Sequence, residues 1–288
     1  MITDIMLLVV GSLGLVFAII VDVKKKEIPD WINYGMITFG FSARLMHSLY
    51  FSEWSYLLYG LLGFLLMFAV GMGFYYAKQW GGGDAKLLMA LGVMFATRPD
   101  FVMESEFPFI IVLLMNIMIF GALYGVVYGG VLAIKHKKKF LKEVKFLNKG
   151  KLLKRLKIAC FAFGLLLLAG VLFLIDDLRT RLIGNTLVLF VLVMPYVRVF
   201  VKAVENSCLY QIKKVEELVE GDWVEQDVVI RGKVIYRKKP LGIEKDDIER
   251  LKNAHVLQIL VKEGIPFAPP FLFGLLATLI LGNIVLLF

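Results

Sequence analysis

Cysteine and histidine are scarce in this chain. Its two cysteines, Cys160 and Cys208, stand far apart and neither belongs to a CxxC pair, so the sequence offers neither a zinc site nor a disulfide framework. The three histidines, His47, His136 and His255, are scattered and lack the i, i+4 spacing that sets two ligands on one helix face. No metal and no cofactor is implied. A basic region ahead of the first apolar run is also missing, since Lys24, Lys25 and Lys26 come after it. That run is therefore expected to stay in the chain and not to be removed as a signal peptide. Basic charge itself is present, with a formal net charge of +9, but most of the excess lies between Lys135 and Lys157. A juxtamembrane position suits anionic headgroups and membrane orientation, and nucleic acid is not expected as a partner.

What the chain has in abundance is apolar surface. The hydrophobic fraction is 59% and the mean hydropathy +0.76, above the roughly 45–50% of a soluble domain. Judged against the ~20 apolar residues that cross a bilayer as helix, eight segments are expected in the membrane: about 4–23, 31–50, 55–77, 85–97, 107–134, 158–175, 182–201 and 267–287. The fourth is short, as a partial or tilted helix packed within protein can be. The expected fold is an all-α polytopic membrane protein with a small cytoplasmic α+β insert.

Loop charges orient it. Lys24 to Lys26, Lys78 and Lys86, the run Lys135 to Lys157 and the segment 202–266 fall on one side. The alternate loops carry Glu53, then Arg98, Asp100, Glu104 and Glu106, then Asp176, Asp177, Arg179 and Arg181. By the positive-inside rule the lysine side is cytoplasmic and both termini lie outside, in a plasma membrane crossed several times.

The resulting division is 1–134 as an N-terminal membrane region, 135–157 as a basic juxtamembrane segment, 158–201 as further membrane helices, 202–266 as the α+β insert and 267–288 as a last membrane helix. The insert matches twelve Lys/Arg with twelve Asp/Glu, and Asp227 to Tyr236 reads as strand, glycine turn and strand, with helical patches at Ile212 to Val219 and Lys245 to Leu251. The basic segment reads either as an interfacial amphipathic helix turning Phe140, Leu141, Val144, Leu147, Leu152 and Leu153 to lipid, or as a solvated loop.

Against this greasy background two carboxylates stand out. Asp84 follows Gly81, Gly82 and Gly83 between two apolar stretches, and Asp22 ends the first stretch. A carboxylate taken toward lipid costs at least about 2.5 kcal/mol, so such residues face protein or a wet cavity and suggest function. The expected topology sets both at the cytoplasmic ends of their helices. Two carboxyl groups that share a proton suffice for aspartic-protease hydrolysis. One acts as general base on a water while the other donates to the scissile carbonyl. Gly81 to Gly83 either admit a substrate backbone or simply make a flexible turn. Asp22 has its own plain alternative as an interfacial residue paired with lysine. Lys86 either favours the ionised form of Asp84 or reaches for headgroups.

Asp22 with Ile28-Pro29-Asp30-Trp31-Ile32-Asn33, then Gly81-Gly82-Gly83-Asp84-Ala85-Lys86-Leu87, and finally Pro266-Phe267-Ala268-Pro269, resemble the prepilin peptidases of type IV pilus systems and the archaeal preflagellin peptidases. These are GxGD-type intramembrane aspartic proteases. The resemblance implies that Asp22 and Asp84 are the catalytic pair, that Gly81 and Gly83 are the motif glycines, and that Pro266 and Pro269 shape the site without a chemical role. It implies removal of a short basic leader from pilin-like or archaellin precursors, cut after glycine at the cytoplasmic face of the lipid bilayer. Bacterial members commonly carry paired CxxC motifs associated with N-methylation. Their absence here makes a peptidase without methyltransferase activity the expectation, and the 202–266 insert looks more like the archaeal members.

The leader's lysines are expected to meet acids of the insert, among Glu216, Glu217, Glu220, Asp222, Glu225 and Asp227. The competing class is a transporter using Asp22 and Asp84 as a proton or cation site. Against it, both acids lie near one face and no inverted repeat is visible.

Overall fold

The computed structural model describes residues 2–100, 102, 106–230, 232–239 and 242–283. Glu104 of the acidic loop and Arg231 of the strand pair lie outside the described residues. Helices stand at each expected apolar segment: α1 (Ile2–Lys25), α2 (Asp30–Phe51), α3 (Trp54–Tyr76), α4 (Gly82–Met94), α5 (Phe109–Lys135), α7 (Lys151–Leu174), α8 (Leu178–Val204) and α10 (Ala268–Leu281). Between them lie α6 (Lys137–Asn148) in the basic stretch and α9 (Lys245–Asn253) in the insert. Among the described residues five helices are long and apolar enough to cross a membrane: α1, α3, α5, α7, and α8 with its continuation to Leu209. The chain is thus a helical membrane protein. The helices α4 and α10 are short, and α2 carries Asn33, Arg44 and His47.

The chain divides into two compact units, residues 1–127 with 212–288, and residues 128–211. In the first, each long helix turns one stripe inward. On α1 the stripe is Leu7, Gly11, Leu15, Ala18 and Asp22, so Asp22 occupies the next place in a helical series of core residues. On α2 it is Ile32, Asn33, Met36, Gly40, Arg44 and Ser48. On α3 it is Gly60, Gly63, Met67 and Gly71, small residues at helical spacing.

The glycines of α3 bring it against α4 backbone to backbone. A Cβ on Gly63 would come within 2.3 Å of the Gly92 carbonyl oxygen, and one on Gly71 within 3.0 Å of that of Ala85. Rising along α3 thus means descending along α4, so the pair is antiparallel. Enclosed this way, α4 buries Ala85 and every residue from Leu87 to Met94. On the far side of this core α5 meets α10, where a Cβ on Gly274 would lie 2.6 Å from Ile117 Cγ1. Asn116 adds hydrogen bonds to the Thr278 hydroxyl at 2.9 Å and the Gly282 carbonyl at 2.8 Å.

The insert has its own small core of Val215, Leu218, Val224, Tyr236, Ile243, Ile248, Leu251, Ile259 and Val261. Its three-stranded sheet has the order β1 (Tyr210–Lys214), β5 (Gln258–Lys262), β2 (Trp223–Val224). The expected strand, turn and strand are present as the antiparallel pair β3 (Val228–Ile230) and β4 (Lys233–Tyr236), with Gly232 at φ +77° in the turn. The helical patch expected at Ile212 to Val219 is instead the end of β1 followed by one 3-10 turn, Val215–Glu217. Pairing with β5, and the Val215 amide bonding to the Leu257 carbonyl at 3.1 Å, override a local pattern too short to hold a helix.

In the second unit, the basic stretch forms α6 and then the start of α7, with Gly150 as the break between them. Phe140 packs edge-on against Phe200 of α8 at 5.9 Å, beside Ala133, Val204 and Cys208, and so faces protein and not lipid as expected. At the other end of α8, Asp177 caps the helix, accepting from the Thr180 amide and hydroxyl at 2.8 Å each. Those two donors hold the Asp177 carboxyl below the usual carboxylate range.

Candidate active site

Asp22 sits on the inward stripe of α1, in its last turn, and is 4% exposed. Its Oδ2 accepts a hydrogen bond from the Ala268 amide at 2.8 Å, with the Phe267 amide as a second backbone donor. Ala268 opens α10 and Phe267 is its N-cap. A helix begins with amides that lack an internal partner. Proline has no N–H to offer, so Pro269 and Pro270, coming next, shorten the list of unmet donors in this first turn. Asp22 takes the amides that precede them. This is the physical content of the Pro-Phe-Ala-Pro element: it fixes a helix N-terminus against the Asp22 carboxylate. Pro266 is buried just ahead of the N-cap.

Asp84 is the third residue of α4, and its Oδ2 accepts from the Gly81 amide at 3.2 Å. Gly81 itself has no side chain to cap the helix, so the loop is closed from the Asp84 side alone. A Cβ on Gly81 would lie 3.3 Å from that same oxygen. At Gly83 the approach is closer still, where a Cβ would meet Ile28 at its Cβ (3.0 Å), its carbonyl oxygen (3.2 Å) and its amide nitrogen (3.3 Å). The glycines thus let the start of α4 press on the link between α1 and α2, which carries the end of the Asp22 helix. The two carboxylates lie within electrostatic reach of each other.

Lys86 differs from both of its expected roles. Its Nζ pairs with Asp30 Oδ1 of α2 at 2.6 Å and lies over the Tyr34 ring at 5.4 Å. It therefore ties α4 to α2 and leaves Asp84 to its backbone donor. The acids of the insert are also largely committed. Asp222 pairs with Lys213 at 2.8 Å, Glu225 pairs with Lys238, and Glu220 lies 3.4 Å from Lys245. Lys26, just past α1, pairs with Glu263 in the approach to α10.

Three residues absent from the sequence-based site now stand beside it. Trp80 stacks on Phe74 at 4.6 Å and touches Phe267 and Phe271, both at 5.6 Å, so one aromatic cluster joins the glycine loop to the start of α10. Asn33 donates to the Gly83 carbonyl at 3.3 Å. Arg44, wholly buried, donates to the carbonyls at the far end of α4. For Arg44 a signal existed: a guanidinium within an apolar stretch is as costly as a carboxylate and invites the same question. Trp80 gave no such warning, being of a type that cores accept, and Asn33 stood in the sequence only as the last residue of the Ile28 to Asn33 motif.

Residues 9–126 match the type IV leader peptidase family. The matched stretch runs from within α1 to within α5 and so takes in both Asp22 and Asp84. The chain is also similar to preflagellin peptidases: 35% identical over 86 residues to that of Methanocaldococcus jannaschii, and 31% over 86 residues to that of Methanococcus maripaludis. That of Methanococcus voltae is 31% identical over 85 residues. Each match takes in 30% of this chain and 36–37% of the relative, so it spans about a third of the length of these proteins.

Proposed function

We propose that this protein is an intramembrane aspartic endopeptidase that removes the short basic leader from type IV pilin-like or archaellin precursors. The observation that carries the reading is that Asp22, in the last turn of α1, and Asp84, in the first turn of α4, come from separate helices whose ends meet where Gly83 packs on Ile28 of the link following α1. The names of the relatives support the substrate class. The lysine-rich loops beside both acids support a site at the cytoplasmic face of the plasma membrane.

In this mechanism one carboxylate accepts a proton from water as the oxygen attacks the scissile carbonyl, and the other carboxyl group donates its proton to the carbonyl oxygen. Collapse of the tetrahedral intermediate returns a hydroxyl proton to the second carboxylate and expels the amine of the mature protein, which takes up the proton that the first carboxylate accepted from water. The substrate's apolar helix lies in the bilayer and its leader reaches the depth of Asp22 and Asp84. The absence of CxxC pairs supports cleavage without methyl transfer.

The test is incubation of the purified protein with a precursor pilin and with a precursor archaellin in detergent, with the product identified by mass. A discrete shortened product is expected from the parent, and Asp22→Asn and Asp84→Asn should each lower the rate by about 100- to 10,000-fold, the scale of lost acid–base catalysis. Activity should follow pH as one coupled pair. Retained cleavage in either variant removes that residue from the role. Ion flux in liposomes without cleavage would establish the transporter instead.

A further inference from the structure

We propose that α2 holds the short helix α4 at both ends, with Asn33 and Arg44 as the positioning residues that fix where Asp84 stands; the proposal rests on the peptidase reading above. Helix α4 has 13 residues, about 20 Å at 1.5 Å per residue, against a hydrocarbon layer of about 30 Å. Such a helix cannot rest both ends on the headgroups. Its last carbonyls, which have no partner within the helix, must find donors inside the protein.

Arg44 supplies them. Its Nε donates to the Val93 carbonyl at 2.7 Å, and its Nη2 to the Met94 carbonyl at 3.3 Å and the Thr97 hydroxyl at 3.2 Å. Nη1 donates to the Tyr56 carbonyl at 3.0 Å, and the Tyr56 ring lies 4.6 Å from the guanidinium. The room for this side chain comes from Gly60, where a Cβ would stand 2.3 Å from Arg44 Cδ. At the opposite end Asn33 donates to the carbonyl of Gly83, the residue before Asp84. Asn33 is wholly buried and its Oδ1 has no partner among the described residues. Packing alone would favour an apolar side chain there, since an unmet buried acceptor lowers stability. What the amide contributes is its hold on Gly83.

The two contacts form one device. Asn33 and Arg44 share the buried stripe of α2, about three turns apart, and the carbonyls they hold are about three turns apart on α4. Between them, Gly40 lets Val93 approach, with a Cβ there 2.7 Å from Val93 Cγ1. Sliding or tilting α4 would break both ends together. A displacement of about 1 Å at reacting groups can cost about 100-fold in rate, so this hold bears on turnover and not only on folding.

The test uses the full chain with Cys160→Ser and Cys208→Ser. Arg44→Met and Asn33→Leu are expected to lower kcat by up to about 100-fold with KM unchanged, and Arg44→Lys to recover part of the loss. A covalent link should replace the hold: Gly40→Cys with Val93→Cys, whose Cβ atoms would lie about 3.3 Å apart, is expected to restore turnover to Arg44→Met when oxidised and to lose it again on reduction. A formed cross-link that leaves Arg44→Met inactive, or an Arg44→Met of full activity, overturns the proposal. A second readout needs no peptidase activity. Cross-linking of Ile28→Cys with Gly83→Cys should slow several-fold when Arg44→Met or Asn33→Leu is added, and an unchanged rate overturns the hold whatever the substrate. If the parent cleaves no precursor while this rate still responds, the peptidase reading fails and the hold stands.

Discussion

Helices α4 and α7 are both apolar, yet they are kept in opposite ways. Helix α7 runs 24 residues and buries only Gly164 and Val171, while α4 runs 13 residues and buries Ala85 and all of Leu87 to Met94. The first is long enough for lipid to hold it by length and hydropathy. The second is held by neighbours: glycine contacts from α3, hydrogen bonds from Asn33 and Arg44, an ion pair from Lys86 to Asp30. Lipid fixes a helix loosely in depth and hardly at all in rotation, whereas packed side chains fix both. The helix that carries Asp84 is the one whose position protein sets.

The contrast can be broken most sharply at glycine. In Gly92→Val the new Cβ would meet the Gly63 carbonyl oxygen at 2.5 Å, with backbone on both sides and nowhere to move. We expect a loss of about 3 kcal/mol or more from such overpacking, seen as failure to recover folded protein from detergent. Gly170→Val on α7 has nothing within 4 Å of the added Cβ and should fold normally. Equal behaviour of the two would end the comparison.

Truncation tests the same difference more gently. Leu91 is 0% exposed and Leu166 is 69% exposed. Leu91→Ala should cost about 2–5 kcal/mol through the cavity it leaves, and Leu166→Ala about 0.5 kcal/mol or less, as read by thermal unfolding in one detergent. Lys86→Met removes an ion pair whose side chains are 33% and 55% exposed. Its cost should fall within about 1 kcal/mol, and a larger drop in turnover than in stability would mean that the tie to α2 helps to position Asp84.

The smallest effect belongs to the lipid-held part of the chain. The Asp177 carboxyl sits below its ordinary range because Thr180 donates to it. A depressed value means that the cap contributes above the unfolded value of about 3.9 and is lost as pH falls through the folded one. Fraying of the first turn of α8, followed by amide exchange, should therefore appear only in acid. Asp177→Ala should show it at neutral pH as well.

Much of this was legible in the chain. Apolar runs bounded by lysine gave helices at each expected position, because crossing lipid demands length and hydropathy, and both are written locally. Asp22 and Asp84 stood out by cost alone. The strand pair at Val228 to Tyr236 was readable from alternation and Gly232. The patch at Ile212 to Val219 was not, because its partner β5 lies far along the chain. Lys86 and Phe140 were misread for a related reason, since each found protein where lipid, headgroup or a neighbouring acid was the local choice.

By itself, then, the sequence determined that this is a helical membrane protein with two costly carboxylates, since hydropathy and charge are properties of single residues and short windows. Only the tertiary structure decided where those carboxylates go. Asp22 meets the amides at the start of α10, and Asp84 is set by Gly81 and by a helix fastened at both ends. Those contacts join residues distant in the chain, and directional bonds to particular carbonyls and amides leave no periodic trace from which to read them.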